Sequence, residues 1–410
     1  MRVSTAFNTM LAIPEASVTA VEFTPEGIQA HLRRRGRRRL TCPCGWSTRA
    51  AYDRSVRRWR HLDLGGGRLF LVAEVRRLEC RRCQRVRTET VPWARPGARH
   101  TRDFEDVVTW LAQRTDKTTI TRLLRCSWEA VARIVVRVVA GAIDQRRLDG
   151  LFRIGVDEVS YRKGHRYLTV VADHDRAGAV VWAREGRNAE TLSAFYDELG
   201  LDRREQLQAV SLDMGGAFAK ATREAVPHVR QCIDPFHVIQ LANQAIDKLR
   251  RQVWNQYRDL QLRSTAWMKH TRWALLKDPA DLKPSQRAVL RELRQRRHAL
   301  WRAYVLKEEL RDLYRLPEPA IAGYRLDRWL ARACRSRLKP IVDLARTLRV
   351  HREGIVAACQ LGLSNSKLEG LNSKIRLINH RGYGHRSLPA LIATIYLCCG
   401  GITVTLPTER

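Results

Sequence analysis

The chain has 410 residues, 44% of them apolar, and carries 75 Lys+Arg against 42 Asp+Glu for a formal net charge of +33. That apolar content builds real cores and excludes a disordered tail; the ten cysteines, and a start (Met1 to Val18) with one Arg and no continuous apolar core, argue against a secreted disulfide framework and predict a cytoplasmic protein. Self-repulsion on this scale calls for an anionic partner, and nucleic acid is the expected one because basic side chains release counterions from phosphate. Charge alone leaves open a ribosome-like or membrane-surface basic protein.

Residues 1 to about 30 read as a short mixed lead-in. In the run HLRRRGRRRL that follows, Arg33, Arg34, Arg35, Arg37, Arg38 and Arg39 read as a phosphate clamp, with a solvated basic loop as the plainer alternative. Cys42 and Cys44 come next, and Cys80 and Cys83 close the segment. Two cysteine pairs on two turns predict a tetrahedral zinc ribbon, within an N-terminal basic region spanning residues 1–100; unrelated reduced thiols are the alternative. The second pair has the usual CxxC spacing, and the first, CPC, is one residue tighter. Gly65-Gly66-Gly67 has no Lys-Ser/Thr after it and predicts a hairpin turn rather than a phosphate loop.

Residues 101–150 turn helical. Phe104, Val107, Val108 and Leu111 form one stripe, TTITRLLR makes a second short helix, and Ser127 caps a third in which Val131, Ile134, Val135 and Val138 face inward. The turn Arg125-Cys126-Ser127 between the last two reads as a helix-turn-helix, offering Trp128, Glu129, Arg133 and Arg137 to a major groove. A plain three-helix bundle is the alternative. DQRRLDG (144–150) is a candidate linker.

Residues 151–250 open with strand-like runs, FRIGVDEVSY, RYLTVVADHD and GAVVWAREG, whose short polar turns predict an antiparallel meander. A helix (NAETLSAFYDEL), a strand (QAVSLD), a helix from about Ala217, a strand (HVRQCID) and a helix (FHVIQLANQAIDKLR) follow. This is the order expected of a mixed α/β sheet of ribonuclease-H-like type. Residues 251–355 lose the alternation and read as a basic all-α insertion, with Trp254, Trp267, Trp273, Trp301 and Trp329 serving its core and Arg-rich faces tracking DNA backbone. Residues 356–410 return to the core. The uncharged stretch Ser387–Leu406, broken by Pro389, Gly400 and Gly401, suits a buried final helix and tail better than a membrane span. The whole is a multidomain α/β protein.

Three acids stand out in this basic chain. Asp157 lies within the first core strand, where an inward carboxylate is costly without a cation; Glu158 beside it points to the other side and is the weaker candidate. Asp213 ends the fourth strand, followed by Gly215 and Gly216, which let backbone or DNA approach. Glu369 lies on a helix with the apolar stripe Leu368, Leu371, Ile375 and Ile378, and shares another face with Asn365, Asn372 and Arg376. Lys367, Lys374, Arg376 and Arg381 would meet DNA phosphates. Asp234 and His237 are supporting candidates, with helix capping the first expectation for Asp234. Taken singly, each Asp reads equally well as a turn residue and Glu369 as an exposed helix acid. Together they could hold two magnesium (or manganese) ions for phosphodiester chemistry.

The blocks GVDEVSYRKGHRY, SLDMGGAF, IDPFHVIQ and SNSKLEGLNSKIRLINHRGYGHRS, in that order, resemble those of bacterial insertion-sequence transposases of the ISL3 family, DDE-type enzymes with a ribonuclease-H-like core. RHLDLGGGRLFL, CRRC and the helix-turn-helix extend the resemblance upstream, so that it covers roughly residues 40 to 400. It implies that Asp157, Asp213 and Glu369 are the catalytic triad, that the N-terminal region binds zinc, and that the partners are double-stranded DNA: terminal inverted repeats and a target. Pairing two element ends implies a homodimer or higher oligomer. CPC stands where the family usually shows CxxC. A DNA-binding regulator with an inactive transposase-derived core is the rival reading, and metal-dependent cleavage of end-containing DNA separates the two. A ribonuclease H acting on RNA has no use for a ribbon and a helix-turn-helix, and no GxGxxG follows a strand to suggest a Rossmann enzyme.

Overall fold

A computed structural model describes residues 2–36, 39–259, 271–296, 298–382, 385 and 387–410. Arg37, Arg38 and Trp267 lie outside the described residues, as does the side chain of Lys367. The chain divides into two compact units, Met1–Asp144 with Ile378–Arg410, and Gln145–Leu377.

The expected lead-in of the first unit is folded. Helix α1 (Val3–Leu11) precedes a hairpin of β1 (Ala16–Thr24) and β2 (Gly27–Arg34). Phe7 and Ile13 are buried with Val18, Ala30 and Leu71, and the Asn8 side chain bonds the Val18 amide and carbonyl at 2.8 and 3.0 Å. The short pair β3 (Leu40–Thr41) and β4 (Ser47–Thr48) follows, then β5 (Asp53–Arg60), β6 (Leu69–Cys80) and β7 (Arg85–Thr88). The sheet order is β1-β2-β6-β5, with β7 also on β6; β2 and β6 are parallel and the other pairs antiparallel. The glycine triplet lies in the β5–β6 connection, where Leu64 and Gly67 bridge as expected of a hairpin.

Three helices follow: α2 (Arg102–Ala112), α3 (Lys117–Leu124) and α4 (Trp128–Ala142). The Thr101, Asp116 and Ser127 side chains cap their first amides, and Arg125 at φ 49° ends α3 in the left-handed conformation. Phe104, Val108, Ile120, Val131, Ile134 and Val138 form the core between them.

The second unit opens with β8 (Arg153–Arg162), β9 (Arg166–Asp173) and β10 (Ala179–Glu185), the expected antiparallel meander. Helices α5 (Ala189–Leu199) and α6 (Leu201–Gln206), β11 (Ala209–Leu212), α7 (Gly216–Ala225) and β12 (Arg230–Ile233) complete a sheet of order β10-β9-β8-β11-β12. Here β11 is parallel to both neighbours, β8 and β12. Apolar side chains of α5 and α7, among them Phe195, Tyr196 and Phe218, pack with Val156, Val171 and Val210 of the sheet.

Helix α8 (Pro235–Asp259) leads into α9 (Thr271–Leu276), α10 (Pro284–Gln295), α11 (Ala299–Asp312), α12 (Ala322–Cys334), α13 (Lys339–Val350) and α14 (Arg352–Leu361). They share a large core that includes Leu293, Leu310, Leu326, Ile341 and Leu348. Trp329 is buried there and donates to the Leu306 carbonyl at 2.7 Å, Trp254 and Trp301 pack against the same core, and Trp273 is exposed. Helix α15 (Ser366–Arg381) carries Glu369.

The chain then closes the first unit. Helix α16 (Leu388–Cys399) packs on α4, and Gln113 donates to the Leu397 and Ile402 carbonyls at 2.8 and 3.0 Å. Residues 378–410, grouped in the sequence with the last part of the catalytic core, thus make their contacts in the first unit. Among the described residues no helix is long and apolar enough to cross a membrane.

Candidate active site and metal centre

Asp157 sits mid-strand on β8, half-buried. Its Oδ1 accepts the Glu158 amide at 2.7 Å, and its Oδ2 accepts the Asn372 side-chain amide at 2.6 Å. Asn372 stands three residues after Glu369, so both lie on one face of α15. Asp213 follows the last residue of β11, and its Oδ1 accepts the Gly215 amide at 2.8 Å. A Cβ added at Gly215 would stand 2.8 Å from that oxygen, so glycine here leaves room for the carboxylate.

Asp234 is almost fully buried between β12 and α8. Its Oδ1 accepts the Asn365 amide at 3.0 Å and the Phe236 amide at 3.4 Å, so it caps α8, as expected, and also holds the residue from which α15 starts. His237 Nε2 lies 4.0 Å from its other oxygen. Asn365 Oδ1 accepts from Ser211 of β11, whose hydroxyl also bonds His174 Nε2 at 2.7 Å. Leu368 packs against Gly155, where a Cβ would stand 2.8 Å from both the Leu368 methyls and His174 Nε2. Sequence reading missed Ser211, His174 and Gly155, because the chain offers no local pattern for partners this far apart.

The acids feel one another. Burial pushes Asp157 above its ordinary value, and the charge of Asp213 adds to the rise. Glu158, also half-buried, is raised first by burial and then by Asp213, so it is not remote from the other acids. Glu369 is raised by burial, then by Asp234 and Asp157, with His237 and Arg376 pulling it back down. Burial raises Asp234 as well. Acids held close against desolvation and mutual repulsion suit a cation. Asn372 Oδ1, on the same amide that donates to Asp157, is buried with no hydrogen-bond partner among the described residues. Among the described residues these carboxylates do not converge as tightly as the ligands of a single ion.

The cysteines do converge. The four sulfurs of Cys42, Cys44, Cys80 and Cys83 all lie within 4.8 Å of one another, with Cys44–Cys80 at 3.5 Å and Cys42–Cys83 at 4.0 Å. Sulfurs ~2.3 Å from one zinc ion would stand about 3.8 Å apart, so this four-cysteine cluster suits structural zinc. The tight CPC pair is accommodated by a turn in which Gly45, at φ 89°, donates to the Cys42 carbonyl at 2.9 Å. A hydrogen bond from the Trp46 backbone, helped by Cys83, lowers the Cys44 thiol to about 6. The contact with Cys44 in turn raises Cys83 to about 12, since four thiols this close cannot all ionise without a cation among them.

Of the expected DNA contacts, Arg33 is exposed at the end of β2, whereas Arg34 pairs with the nearly buried Glu89 and Arg35 bonds the Ser17 hydroxyl at 2.7 Å. Arg39 reaches the Ser47 carbonyl at 3.4 Å. The start of the basic run is therefore a strand end with partners of its own. On α4, Arg133 is exposed and pairs with Glu129 at 2.8 Å, and Trp128 is half-buried with Lys117 Nζ 5.9 Å from its ring. Arg137 bonds the fully buried Glu105 at 3.0 Å, so its charge compensates an acid inside the helical bundle. Lys374, Arg376 and Arg381 are exposed on α15.

Three family models match the chain. One is described as a transposase and spans residues 154–395; one is the helix-turn-helix domain of transposase family ISL3, over residues 89–139; one is the zinc-finger of transposase IS204/IS1001/IS1096/IS1165, over residues 38–83. The chain is 38% identical to the transposase for insertion sequence element IS1557 of Mycobacterium tuberculosis, across 99% of this chain and 98% of that protein. It is 30% identical to the transposase for insertion sequence element IS1001 of Bordetella parapertussis, across 84% of each.

Proposed function

The chain belongs to the ISL3 family of insertion-sequence transposases, and on that premise we propose that it binds the terminal inverted repeats of its own element and catalyses DNA cleavage and strand transfer with Asp157, Asp213 and Glu369 as the catalytic acids. The observation that carries this reading is the Asn372–Asp157 hydrogen bond, which ties the strand of the first acid to the helix of the third. The charge of Asp213 felt at Asp157, and that of Asp157 felt at Glu369, support it.

The reaction has two parts. Water hydrolyses a phosphodiester at the element end and frees a 3′-hydroxyl. That hydroxyl then attacks a phosphodiester of the target, forming a new phosphodiester and breaking the target strand's own bond to its 3′-oxygen, which leaves as a hydroxyl. No covalent protein–DNA intermediate is required, so no Ser or Tyr nucleophile is assigned. Two magnesium or manganese ions, when held by the three acids, would stabilise the attacking and leaving oxygens. The chain's own part is positioning. The Glu158 amide and Asn372 orient Asp157, and the Gly215 amide orients Asp213. Asp234 acts as a positioning residue through the start of α15, with His237 beside it.

The ribbon, stiffened by zinc on its four cysteines, and the helices α2–α4 serve end recognition, with Arg33, Trp128 and Arg133 the side chains available to DNA. Residues 151–250 and helix α15 frame the chemistry, with residues 251–355 inserted between them. Lys374, Arg376 and Arg381 contact phosphates. Two element ends are brought together by a dimer or larger assembly, at the nucleoid in the cytoplasm. The decisive experiment is Asp157→Asn, assayed for magnesium-dependent cleavage of end-containing DNA and for repeat binding. Cleavage is abolished and binding stays nearly intact. Loss of both together would count against this division of labour between binding and cleavage, and a wild-type protein that binds and never cuts would favour the regulator reading.

A further inference from the structure

A groove of about 640 Å³ opens beside Asp213, and the mechanism above makes no use of it. Its lining includes Lys220 and Arg223 of α7, Arg230 at the start of β12 and His351 between α13 and α14; Glu353 is its one acid besides Asp213. Lys220 and Arg223 are three residues apart and share a helix face. Lys220 meets Glu224 at 3.8 Å in an exposed pair of the kind that contributes little, Arg230 bonds Gln360, and Arg223 has no ion-pair partner among the described residues.

The groove has a direction. Strands β11 and β12 run parallel, with Ala209 level with Arg230 and Leu212 level with Ile233. From Arg230 to the level of Asp213 is four strand residues, or about 13 Å at ~3.3 Å each. A DNA strand rises ~3.4 Å per phosphate along the duplex axis, and its phosphates lie about twice that far apart along the backbone itself, so this length takes about two phosphates. Lysine and arginine along a groove that ends at an acid suit a polyanion whose reacting phosphate lies at the Asp213 end.

We propose that this groove holds the sugar–phosphate backbone of one DNA strand leading away from the reacting phosphate, with Lys220, Arg223 and Arg230 as its phosphate contacts. The proposal rests on Asp213 being a catalytic acid and adds the track by which substrate reaches it. Arg223 is the central contact, since no acid among the described residues pairs with it.

The test uses the full-length chain, wild type against K220A/R223A, R223E and the charge-keeping K220R/R223K. Binding to an element-end duplex with adjoining DNA is measured across a salt series, together with the DNA dependence of magnesium-driven cleavage. Thermal melting within about 2 °C of wild type establishes that each variant folds. For K220A/R223A the slope of log K against log[salt] should fall by about two. KM for DNA should rise at least tenfold with a smaller change in kcat, and R223E, which changes the net charge by the same two, should shift slope and KM to a comparable degree. K220R/R223K should keep the wild-type slope. A slope and KM unchanged in K220A/R223A and R223E overturn the groove. A wild-type chain that cuts no end-containing DNA overturns the transposase chemistry instead, and the salt slopes still decide whether phosphates occupy the groove.

Discussion

Asn372 of α15 donates a 2.6 Å hydrogen bond to Asp157 of β8, joining two segments separated in sequence by the whole helical insertion. The bond orients a carboxylate and helps keep it ionised against burial. A hydrogen bond to a charged group contributes about 1.5–3 kcal/mol, or roughly 10–100-fold in rate if it is needed in the transition state. Asn372→Ala should therefore slow end cleavage by one to two orders of magnitude while repeat binding stays within twofold. Because this bond lowers the Asp157 pKa in the wild type, its loss raises that pKa and the acidic limb of the pH–rate profile should move to higher pH. A slowed variant with an unshifted profile would argue for a purely structural role.

Burial is the main cause of the raised Asp157 and Glu369 values. For such acids the folded-state pKa lies above the unfolded one. Above the folded value both states are ionised, and the whole penalty of buried charge is present. As pH falls through the folded value toward the ordinary 3.8 and 4.5, the folded protein takes up protons first and stability rises. Metal-free wild type should therefore be less stable than Asp157→Asn at neutral pH, with the gap closing on acidification. Magnesium should close it too, by compensating the charge. Urea denaturation of both proteins at pH 7 and pH 5, with and without magnesium, measures this; a gap that widens on acidification would count against it. Cleavage, which needs the ionised acids, should fall over the same window.

The cysteine cluster gives a stoichiometric prediction. Purified protein should carry one zinc per chain, and Cys80→Ser should lose it. Binding energies of structural zinc reach ~10–16 kcal/mol, far beyond what a ribbon of this size can replace. Limited proteolysis of Cys80→Ser should cut within residues 38–88, and repeat affinity should drop at least tenfold. A zinc-free wild type with full repeat affinity would falsify the ribbon assignment.

Gly155 is a packing constraint that can be tested without touching an acid. The methyl of Gly155→Ala would stand 2.8 Å from both Leu368 and His174. Overpacking of this kind costs about 1–3 kcal/mol. Since Leu368 precedes Glu369, cleavage should fall further than stability alone explains. Stability and rate both at wild-type levels would mean that α15 can shift without moving its acid.

Much of this site was legible. The apolar runs around Asp157 and Asp213 are bounded as core strands are, and the stripe of Leu368, Leu371 and Ile375 marked the helix that carries Glu369. What escaped was non-local. The first strands were hidden because β2 pairs with β6 across the whole ribbon segment, and a short helix such as α1 gains its stability from that sheet. Arg34 and Arg137 looked like DNA contacts because nothing in sequence announces Glu89 or Glu105 as partners. The Ser211 hydroxyl, which meets His174 and Asn365, is one of many serines until the sheet is built.

The packing of α16 on α4 bears on how such a gene can lose its activity. A premature stop codon anywhere before residue 388 removes the cover of the helix-turn-helix, and one before residue 369 takes the last acid as well. Truncation therefore does not leave an intact reader of element ends. On the proposed assignment, a descendant silenced by a missense change at the acids keeps the reading frame open to the end of that final helix and so keeps α4 covered, which a truncated one does not.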